Sequence, residues 1–109
     1  NKKFVNDFTA VVEQNIADQS LDVNVICESL GLSRIQLYRK VKAMLGYSVN
    51  DYITTVRLKK AKYLLSTTDK SIGEICYEVG FSSPSYFSST FKSKFDISPS
   101  EYRQNRANS

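Results

Sequence analysis

Three residues in the first half of the chain, Ile35, Arg39 and Lys42, are spaced by four and three positions. On an α-helix this spacing places them on one face. An Arg guanidinium can donate two hydrogen bonds to the O6 and N7 atoms of guanine, and an aliphatic side chain can contact the methyl group of thymine. The pattern therefore predicts a helix face that reads base edges. The alternative is an ordinary solvent-exposed face with one stray Ile, which is common in folded proteins.

The sequence lacks the residue sets that catalysis and metal binding use. It contains no His, and it shows no phosphate-binding loop and no paired carboxylates. We therefore expect that the chain is not an enzyme and that it binds no cofactor, no metal ion and no small-molecule ligand.

Cys27 and Cys76 occupy equivalent positions in two similar segments. Equivalent positions in two separate subdomains should lie far apart, whereas a disulfide needs Cα atoms within about 7 Å. Each Cys is therefore predicted to be a small buried residue with a free thiol.

The candidate base-reading residues belong to a predicted helix at residues 34–45, which follows a shorter helix at residues 23–30. Gly31 suits the left-handed position at the end of the shorter helix. Ser33 is the expected N-cap of the second helix, and Gln36 completes a capping box. Two helices joined by a three-residue turn with Gly match the helix-turn-helix motif, whose second helix enters the major groove of DNA. The predicted inner stripe of the second helix consists of Leu37, Val41, Met44 and Leu45.

A second copy of this pattern follows later in the chain. Residues 26–33 (ICESLGLS) align with residues 75–82 (ICYEVGFS) at an offset of 49 positions. The alternative, a chance similarity between two amphipathic helices, is disfavoured by the matched Gly, Ser, Cys and Tyr residues. The sequence therefore predicts two helix-turn-helix units in one chain. After one inserted residue, the positions Leu37, Val41, Ser48 and Tyr52 correspond to Phe87, Phe91, Ser98 and Tyr102.

One long helix is predicted between the two copies, at residues 48–66. Ser48 is its expected N-cap, and Asp51 stands in its first turn, near the positive end of the helix dipole. Its apolar residues form two sets that are rotated by about 140° from one another, whereas a helix that packs on one core keeps one stripe. We therefore expect a linker helix shared by subdomain one (about residues 3–47) and subdomain two (about residues 67–106). The two sets are Val49, Tyr52, Ile53 and Val56, and then Leu58, Ala61, Leu64 and Leu65.

Four further helices complete a predicted all-α fold of seven helices. Each is supported by an apolar stripe or by capping residues at its start. Residues 19–21 are expected to form a connection, and residues 107–109 a frayed end. The four helices are placed at residues 3–16, 72–79, 84–95 and 99–106.

The helix predicted at residues 84–95 is the counterpart of the helix at residues 34–45. Its aromatic residues recur every four positions, which predicts that they face the core. Its outer positions carry mainly hydroxyl groups. The aromatic stripe consists of Phe87, Phe91 and Phe95. The positions that match Ile35, Arg39 and Lys42 hold Ser85, Ser89 and Lys92.

Positive charge is concentrated in the middle of the chain. The formal net charge is +4. Residues 33–62 carry eight Lys and Arg against one Asp, a net charge of +7, whereas residues 1–32 have a net charge of −3 and residues 63–109 of zero. A basic segment on a two-repeat helical frame indicates an anionic polymer as the partner. A solvated, charged helix face is the alternative.

The chain shows no signal peptide and no apolar run long enough to span a membrane. We therefore expect a soluble protein in the cytoplasm. Because the sequence begins with Asn rather than Met, we expect it to be part of a longer protein.

The second copy carries the most specific pattern in the chain. Residues 80–103 read GFSSPSYFSSTFKSKFDISPSEYR, which resembles the signature of the AraC/XylS family of bacterial transcription regulators. The resemblance covers about residues 4–106. The positions that match the linker helix of that family are Tyr52, Arg57, Leu58, Ala61, Leu64 and Leu65.

The resemblance implies a DNA-binding domain that regulates transcription. It implies two helix-turn-helix units that insert their second helices into successive major grooves of double-stranded DNA, with activation through RNA polymerase as the expected outcome. Such domains usually stand at the C-terminus of a longer chain with a sugar-sensing domain, a receiver or a hybrid histidine kinase. The target sequence, the direction of regulation, the signal and the oligomeric state stay open.

The chain departs from the family pattern at two positions. The family often has Arg or Lys where Ser89 stands, so base reading by the helix at residues 84–95 is in doubt. It usually has Gly where Asp96 stands. Because Asp tolerates a left-handed conformation better than most residues, the turn is expected to survive.

Fourteen residues are predicted to contact DNA, and the first helix-turn-helix is expected to dominate specificity because Arg39 corresponds to the short Ser89. The expected base contacts are Arg34, Ile35, Tyr38, Arg39, Lys42, Ser85, Tyr86 and Ser89. The expected phosphate contacts are Lys40, Ser48, Lys59, Ser83, Ser88 and Lys92. The rival interpretations are an enzyme, a protein-interaction module that uses the same helices, and an architectural DNA-binding protein without sequence preference.

Overall fold

The computed structural model describes residues 2–18 and 21–107, and these residues form seven α-helices and no β-strand. The predicted all-α fold with two helix-turn-helix units and a long central helix is confirmed. Within the described ranges, every helix is too short or too polar to traverse a lipid bilayer. The helices are α1 (Lys2–Asn15), α2 (Val23–Leu30), α3 (Arg34–Leu45), α4 (Val49–Thr67), α5 (Ile72–Glu78), α6 (Pro84–Phe95) and α7 (Pro99–Ala107).

The chain divides into two compact units, Asn1–Val56 and Arg57–Ser109. In the first unit, the turn between α2 and α3 is shaped by local hydrogen bonds. Gly31 ends α2 in the left-handed conformation with φ 67°. Because Gly has no Cβ atom, this conformation carries little steric strain. The Ser33 hydroxyl accepts from the backbone N–H of Gln36 at 3.2 Å, and the Gln36 side-chain oxygen accepts from the N–H of Ser33 at 2.9 Å. The predicted turn and capping box are confirmed.

The core of the first unit fixes which face of α3 meets solvent. Phe8 and Val12 of α1, Ile26 of α2, and Leu37 and Val41 of α3 are all 0% exposed. Truncating such a Phe to Ala typically costs about 3–5 kcal/mol because it removes apolar contacts and leaves a cavity. Since Leu37 and Val41 are held inside, the opposite face of α3 is turned outward. The first half of α4 adds Val49 and Ile53 to this core.

The core of the second unit is aromatic. Phe87 and Phe91 of α6 are 0% exposed, as predicted, and their ring centroids lie 6.0 Å apart. Phe95 is half-buried at the edge of this core, with its ring centroid 4.7 Å from that of Phe91. The second half of α4 contributes Leu58, Ala61, Leu64 and Leu65. The prediction that the two halves of α4 bury different stripes is therefore confirmed.

Capping residues also define the helices of the second unit. Ser71 and Glu74 form the predicted capping box of α5, and the Ser83 hydroxyl accepts from the N–H of Tyr86 at the start of α6. Asp96 ends α6 with φ 70°, and its N–H donates to the Lys92 carbonyl oxygen. The departure from Gly at this position therefore leaves the turn intact, as expected.

Several details differ from the prediction. Met44, which was placed on the inner stripe of α3, is 37% exposed, since it stands in the last turn, where neighbouring Leu45 is itself half-buried. Helix α1 ends one residue earlier than predicted, and α4 and α7 end one residue later. Helix α5 ends at Glu78, one residue earlier than predicted, and Val79 is its C-cap. Residues 19, 20, 108 and 109, in the predicted connection and frayed end, lie outside the described residues.

Candidate nucleic-acid interface

The outer face of α3 presents the residue types predicted to read bases. Ile35 is 63% exposed and Tyr38 is 43% exposed, although both are large side chains that proteins often bury. Arg39 and Lys42 are also exposed. In the described part of the chain, residues 2–18 and 21–107, the Arg39 guanidinium has no hydrogen-bond or ion-pair partner. This face therefore combines a free cationic fork with apolar and aromatic groups.

Arg34, the first residue of α3, is held by the preceding helix. Its Nε donates to the side-chain oxygen Oδ1 of Asn24 on α2, at 3.1 Å. The contact crosses the turn of the helix-turn-helix unit. Sequence reasoning missed Asn24, because the two residues are ten positions apart on different helices and no periodicity of a single helix relates them.

Two predicted contact lysines of α3 interact with the first unit itself. The Nζ atom of Lys42 donates to the carbonyl oxygen of Gly46 at 3.1 Å, where a positive charge suits the negative end of the helix dipole. The Nζ atom of Lys40 lies 5.1 Å from the centroid of the Phe4 ring on α1. The Lys40 ammonium group therefore lies beside α1 within the first unit.

Four of the predicted site residues line one mainly apolar hollow of the first unit. Ser48 closes one side of the hollow as the cap of α4, and its hydroxyl accepts from the Asp51 N–H at 3.1 Å. The hydroxyl proton of Ser48 stays available to a phosphate oxygen, because the cap uses Ser48 as an acceptor. The lining residues are Tyr38, Arg39, Lys42, Ala43, Ser48 and Val49.

The corresponding face of α6 is hydroxyl-rich. Ser85, Ser89 and Lys92 are exposed, and Tyr86 is 60% exposed with its ring centroid 5.9 Å from that of Phe81. The other candidate phosphate contacts of the second unit are Ser83 and Ser88, both half-buried, and Lys59, which is exposed on α4. The face of α6 therefore offers short hydroxyl groups where α3 offers an Arg.

Comparison with known sequences places the chain among regulatory proteins. A family model described as a helix-turn-helix domain matches residues 26–105. Histidine kinase P4 of Formosa agariphila is 45% identical over 96 residues, which are 88% of this chain and 7% of the kinase. The Msm operon regulatory protein of Streptococcus mutans is 39% identical, over 94% of this chain and 37% of that protein. Regulatory protein SoxS of Escherichia coli is 33% identical, over 94% of this chain and 95% of SoxS.

Solved structures match over most of the chain. A transcriptional regulator from Chromobacterium violaceum, described by its AraC-type DNA-binding domain, has a TM-score of 0.87 and 39% identity over 94% of this chain and 90% of that one. The DNA-binding domain of AdpA, solved in complex with a target DNA, has a TM-score of 0.84 and 26% identity over 94% of this chain and 95% of that one. Both solved structures match most of this chain, and the helix-turn-helix family model matches residues 26–105 of it.

Proposed function

This chain belongs to the AraC-type family of helix-turn-helix transcription regulators, and from that membership we propose that it recognises a specific sequence in double-stranded DNA. In this proposal α3 and α6 are the recognition helices of two subdomains, and they enter successive major grooves. Subdomain one comprises about residues 3–47, the linker helix about 48–66, and subdomain two about 67–106.

The observation that carries the proposal is the outer face of α3. It lies on the second helix of a helix-turn-helix unit, which is the helix that enters the major groove. It exposes Ile35 at 63% and leaves the Arg39 guanidinium without a partner among the described residues. Arg39 is suited to a guanine edge and Ile35 to a thymine methyl group.

We assign base reading mainly to the first subdomain. A Ser hydroxyl is short and donates a single hydrogen bond, whereas a bidentate Arg–guanine pair is worth about 1–3 kcal/mol of discrimination. Helix α6 therefore contributes more through phosphate groups and DNA shape than through base edges. The proposed base contacts are Arg34, Ile35, Tyr38, Arg39 and Lys42 on α3, and Ser85, Tyr86 and Ser89 on α6.

The proposed phosphate contacts surround these faces. Cationic and hydroxyl side chains bind phosphate oxygens without reading sequence, and they set the register of the protein on the duplex. Lysine contacts displace condensed counterions, so they also make the affinity dependent on salt. The assigned residues are Lys40, Ser48, Lys59, Ser83, Ser88 and Lys92.

We propose that the domain regulates transcription as one part of a longer protein and performs no catalysis itself. The histidine kinase and the Msm regulator are far longer than the region they share with this chain. The signal would then reach the domain from another part of the protein, and activation would proceed through contact with RNA polymerase. Since the proposed partner is double-stranded DNA, we place its action in the bacterial cytoplasm.

Selection of bound sequences from a random pool of DNA duplexes tests this function. The proposal predicts that one motif with two half-sites is enriched in the presence of excess bulk competitor DNA. Arg39→Ala should weaken enrichment, whereas Lys94→Ala, which changes an exposed Lys outside the proposed contacts, should preserve it. Retention of DNA with no enriched motif would indicate an architectural protein, and no retention would favour a protein-interaction module. Either result contradicts the proposal.

A further inference from the structure

The hydrogen bond between Asn24 and Arg34 occupies one donor of the guanidinium and leaves its far end available. Arg carries five N–H donors, one on Nε and two on each Nη. Nε is the atom that donates to Asn24 Oδ1, at 3.1 Å. The pair Nη1 and Nη2 forms the second edge of the planar fork, which matches the O6 and N7 atoms of guanine. The Nε atom of Arg34 can therefore be held by Asn24 while the Nη1–Nη2 edge binds DNA.

The chemistry of the acceptor matters as well as its position. The Asn24 side chain is neutral, so it orients the Arg34 guanidinium without cancelling its charge. An acidic residue, Glu28, stands one helical turn further along α2 and lines the same surface hollow as Asn24 and Arg34. Without Asn24, the guanidinium can turn toward Glu28, where an ion pair would draw the fork away from DNA and neutralise it.

We propose that Asn24 is a positioning residue for DNA recognition: it holds the Arg34 guanidinium by its Nε, so that the Nη pair can bind one guanine in the major groove. The inference rests on the proposed function and adds to it a residue of α2 that touches no base. Because a long Arg side chain loses rotamer freedom when it binds, a pre-oriented fork binds more tightly than a free one.

A double-mutant cycle on the intact domain separates this role from others. The variants are Asn24→Ala, Arg34→Ala and the combination, and the readout is the base preference at each position of the selected motif. Asn24→Ala should reduce the preference for guanine at one position by about threefold to tenfold, which corresponds to ordering one long side chain. Arg34→Ala should remove that preference. In the Arg34→Ala background, Asn24→Ala should have no further effect.

Two further variants distinguish positioning from a structural role. Asn24→Asp keeps an acceptor oxygen for Nε but cancels part of the Arg34 charge, so it should weaken binding to every sequence while keeping more of the guanine preference than Asn24→Ala does. Asn6→Ala, an exposed Asn on α1 outside the proposed interface, should change neither property. The melting temperature of Asn24→Ala should stay within about 3 °C of the wild-type value, as for most surface substitutions.

Several outcomes would overturn the inference. If the wild-type domain enriches a motif but Asn24→Ala has the wild-type base preference, the positioning role is wrong and the proposed function stands. A further loss from Asn24→Ala in the Arg34→Ala background would show that Asn24 contacts DNA directly. A guanine preference in Asn24→Asp that is no stronger than in Asn24→Ala would also contradict the inference. If the wild-type domain enriches no motif, the proposed function fails together with it.

Discussion

Arg103 on α7 binds the end of α4 through the carbonyl oxygen of Leu65, to which its Nε donates at 3.2 Å. The same guanidinium donates from Nη2 to the carbonyl oxygen of Thr68 at 3.1 Å and from Nη1 to that of Lys70. The last carbonyl groups of a helix have no partner within the helix, and a cation there also suits the helix dipole. Arg103 therefore joins α7 to the end of α4 within the second unit.

Replacing Arg103 should destabilise the second unit. Arg103→Ala is expected to lower the free energy of unfolding by about 1.5–3 kcal/mol, the usual worth of hydrogen bonds from a charged donor. Arg103→Lys should recover little, because an ammonium group lacks the planar fork that reaches three carbonyl groups. Urea denaturation of both variants measures the effect. Lys94→Ala, an exposed substitution in the same unit, is the control and should change the free energy by less than about 0.5 kcal/mol. Equal effects of Arg103→Ala and Lys94→Ala would contradict this role.

The two Cys residues should be unreactive in the folded protein. Cys27 and Cys76 are buried with free thiols, and burial raises the pKa of the Cys76 thiol. Since the thiolate is the reactive form, a raised pKa lowers its fraction at pH 8. The Cys27→Ser variant isolates Cys76, and its reaction with a chromogenic disulfide reagent should be slow in buffer and fast in denaturant. Equal rates in the two conditions would show that Cys76 is accessible.

Glu101 should make stability dependent on pH in the acidic range. Its pKa lies below the ordinary value because the carboxylate accepts a hydrogen bond from the backbone N–H of Ser98, and the Ser98 side chain also favours the charged form. Because the pKa of Glu101 is lower in the folded state, its carboxylate adds stability when the pH is above the unfolded-state pKa, about 4.3. This contribution is lost as the pH falls through the folded-state pKa.

The comparison of wild type with Glu101→Gln measures this contribution. The wild type should be the more stable protein at pH 7, and the difference should shrink as the pH falls below about 4.3. In a Ser98→Ala background the difference should be smaller at pH 7, because the Ser98 side chain no longer contributes. A difference that stays constant between pH 7 and pH 3 would contradict the assignment.

The affinity for DNA should fall steeply with salt. Each neutralised phosphate changes the slope of log K against log salt concentration by about −0.9. Lys59→Gln removes one proposed phosphate contact, so it should make the slope less steep by about 0.9 and weaken binding to all sequences alike. Lys2→Gln, at the start of α1, carries the same charge change outside the proposed interface. A Lys59→Gln slope equal to that of Lys2→Gln would remove Lys59 from the contacts.

Local signals in the sequence were sufficient to predict the helices. Ser33 with Gln36 and Ser71 with Glu74 are capping boxes that are readable from residue spacing, and the structure forms both. The switch of stripe within α4 likewise follows from helical periodicity. Helix ends were less accurate, because the residue that ends α5, Val79, is a β-branched residue with no capping signature.

Contacts between elements could not be predicted in the same way. The bonds from Arg34 to Asn24 and from Arg103 to Leu65 depend on how separate helices pack, and no residue spacing within a single helix encodes them. The same holds for Lys40, which was predicted as a phosphate contact from its place on α3 and lies over the ring of Phe4 on another helix.

The central claim is that Arg39 on α3 contributes far more to base discrimination than its counterpart on α6, Ser89. Arg39→Ala should weaken binding and relax the base preference in one half of the site, by about 1–3 kcal/mol of discrimination. Ser89→Ala should change little, because a short hydroxyl group reaches few base edges. Ser89→Arg should strengthen binding, since it adds a cationic fork on the exposed face of α6.

The most direct measurement is a set of binding curves for wild type, Arg39→Ala and Ser89→Ala on the selected site and on all its single-base changes. The account predicts that Arg39→Ala flattens the base preference at positions in one half-site and that Ser89→Ala changes the wild-type profile only slightly. If Ser89→Ala loses as much base preference as Arg39→Ala, or if Arg39→Ala keeps the wild-type profile, the account is wrong.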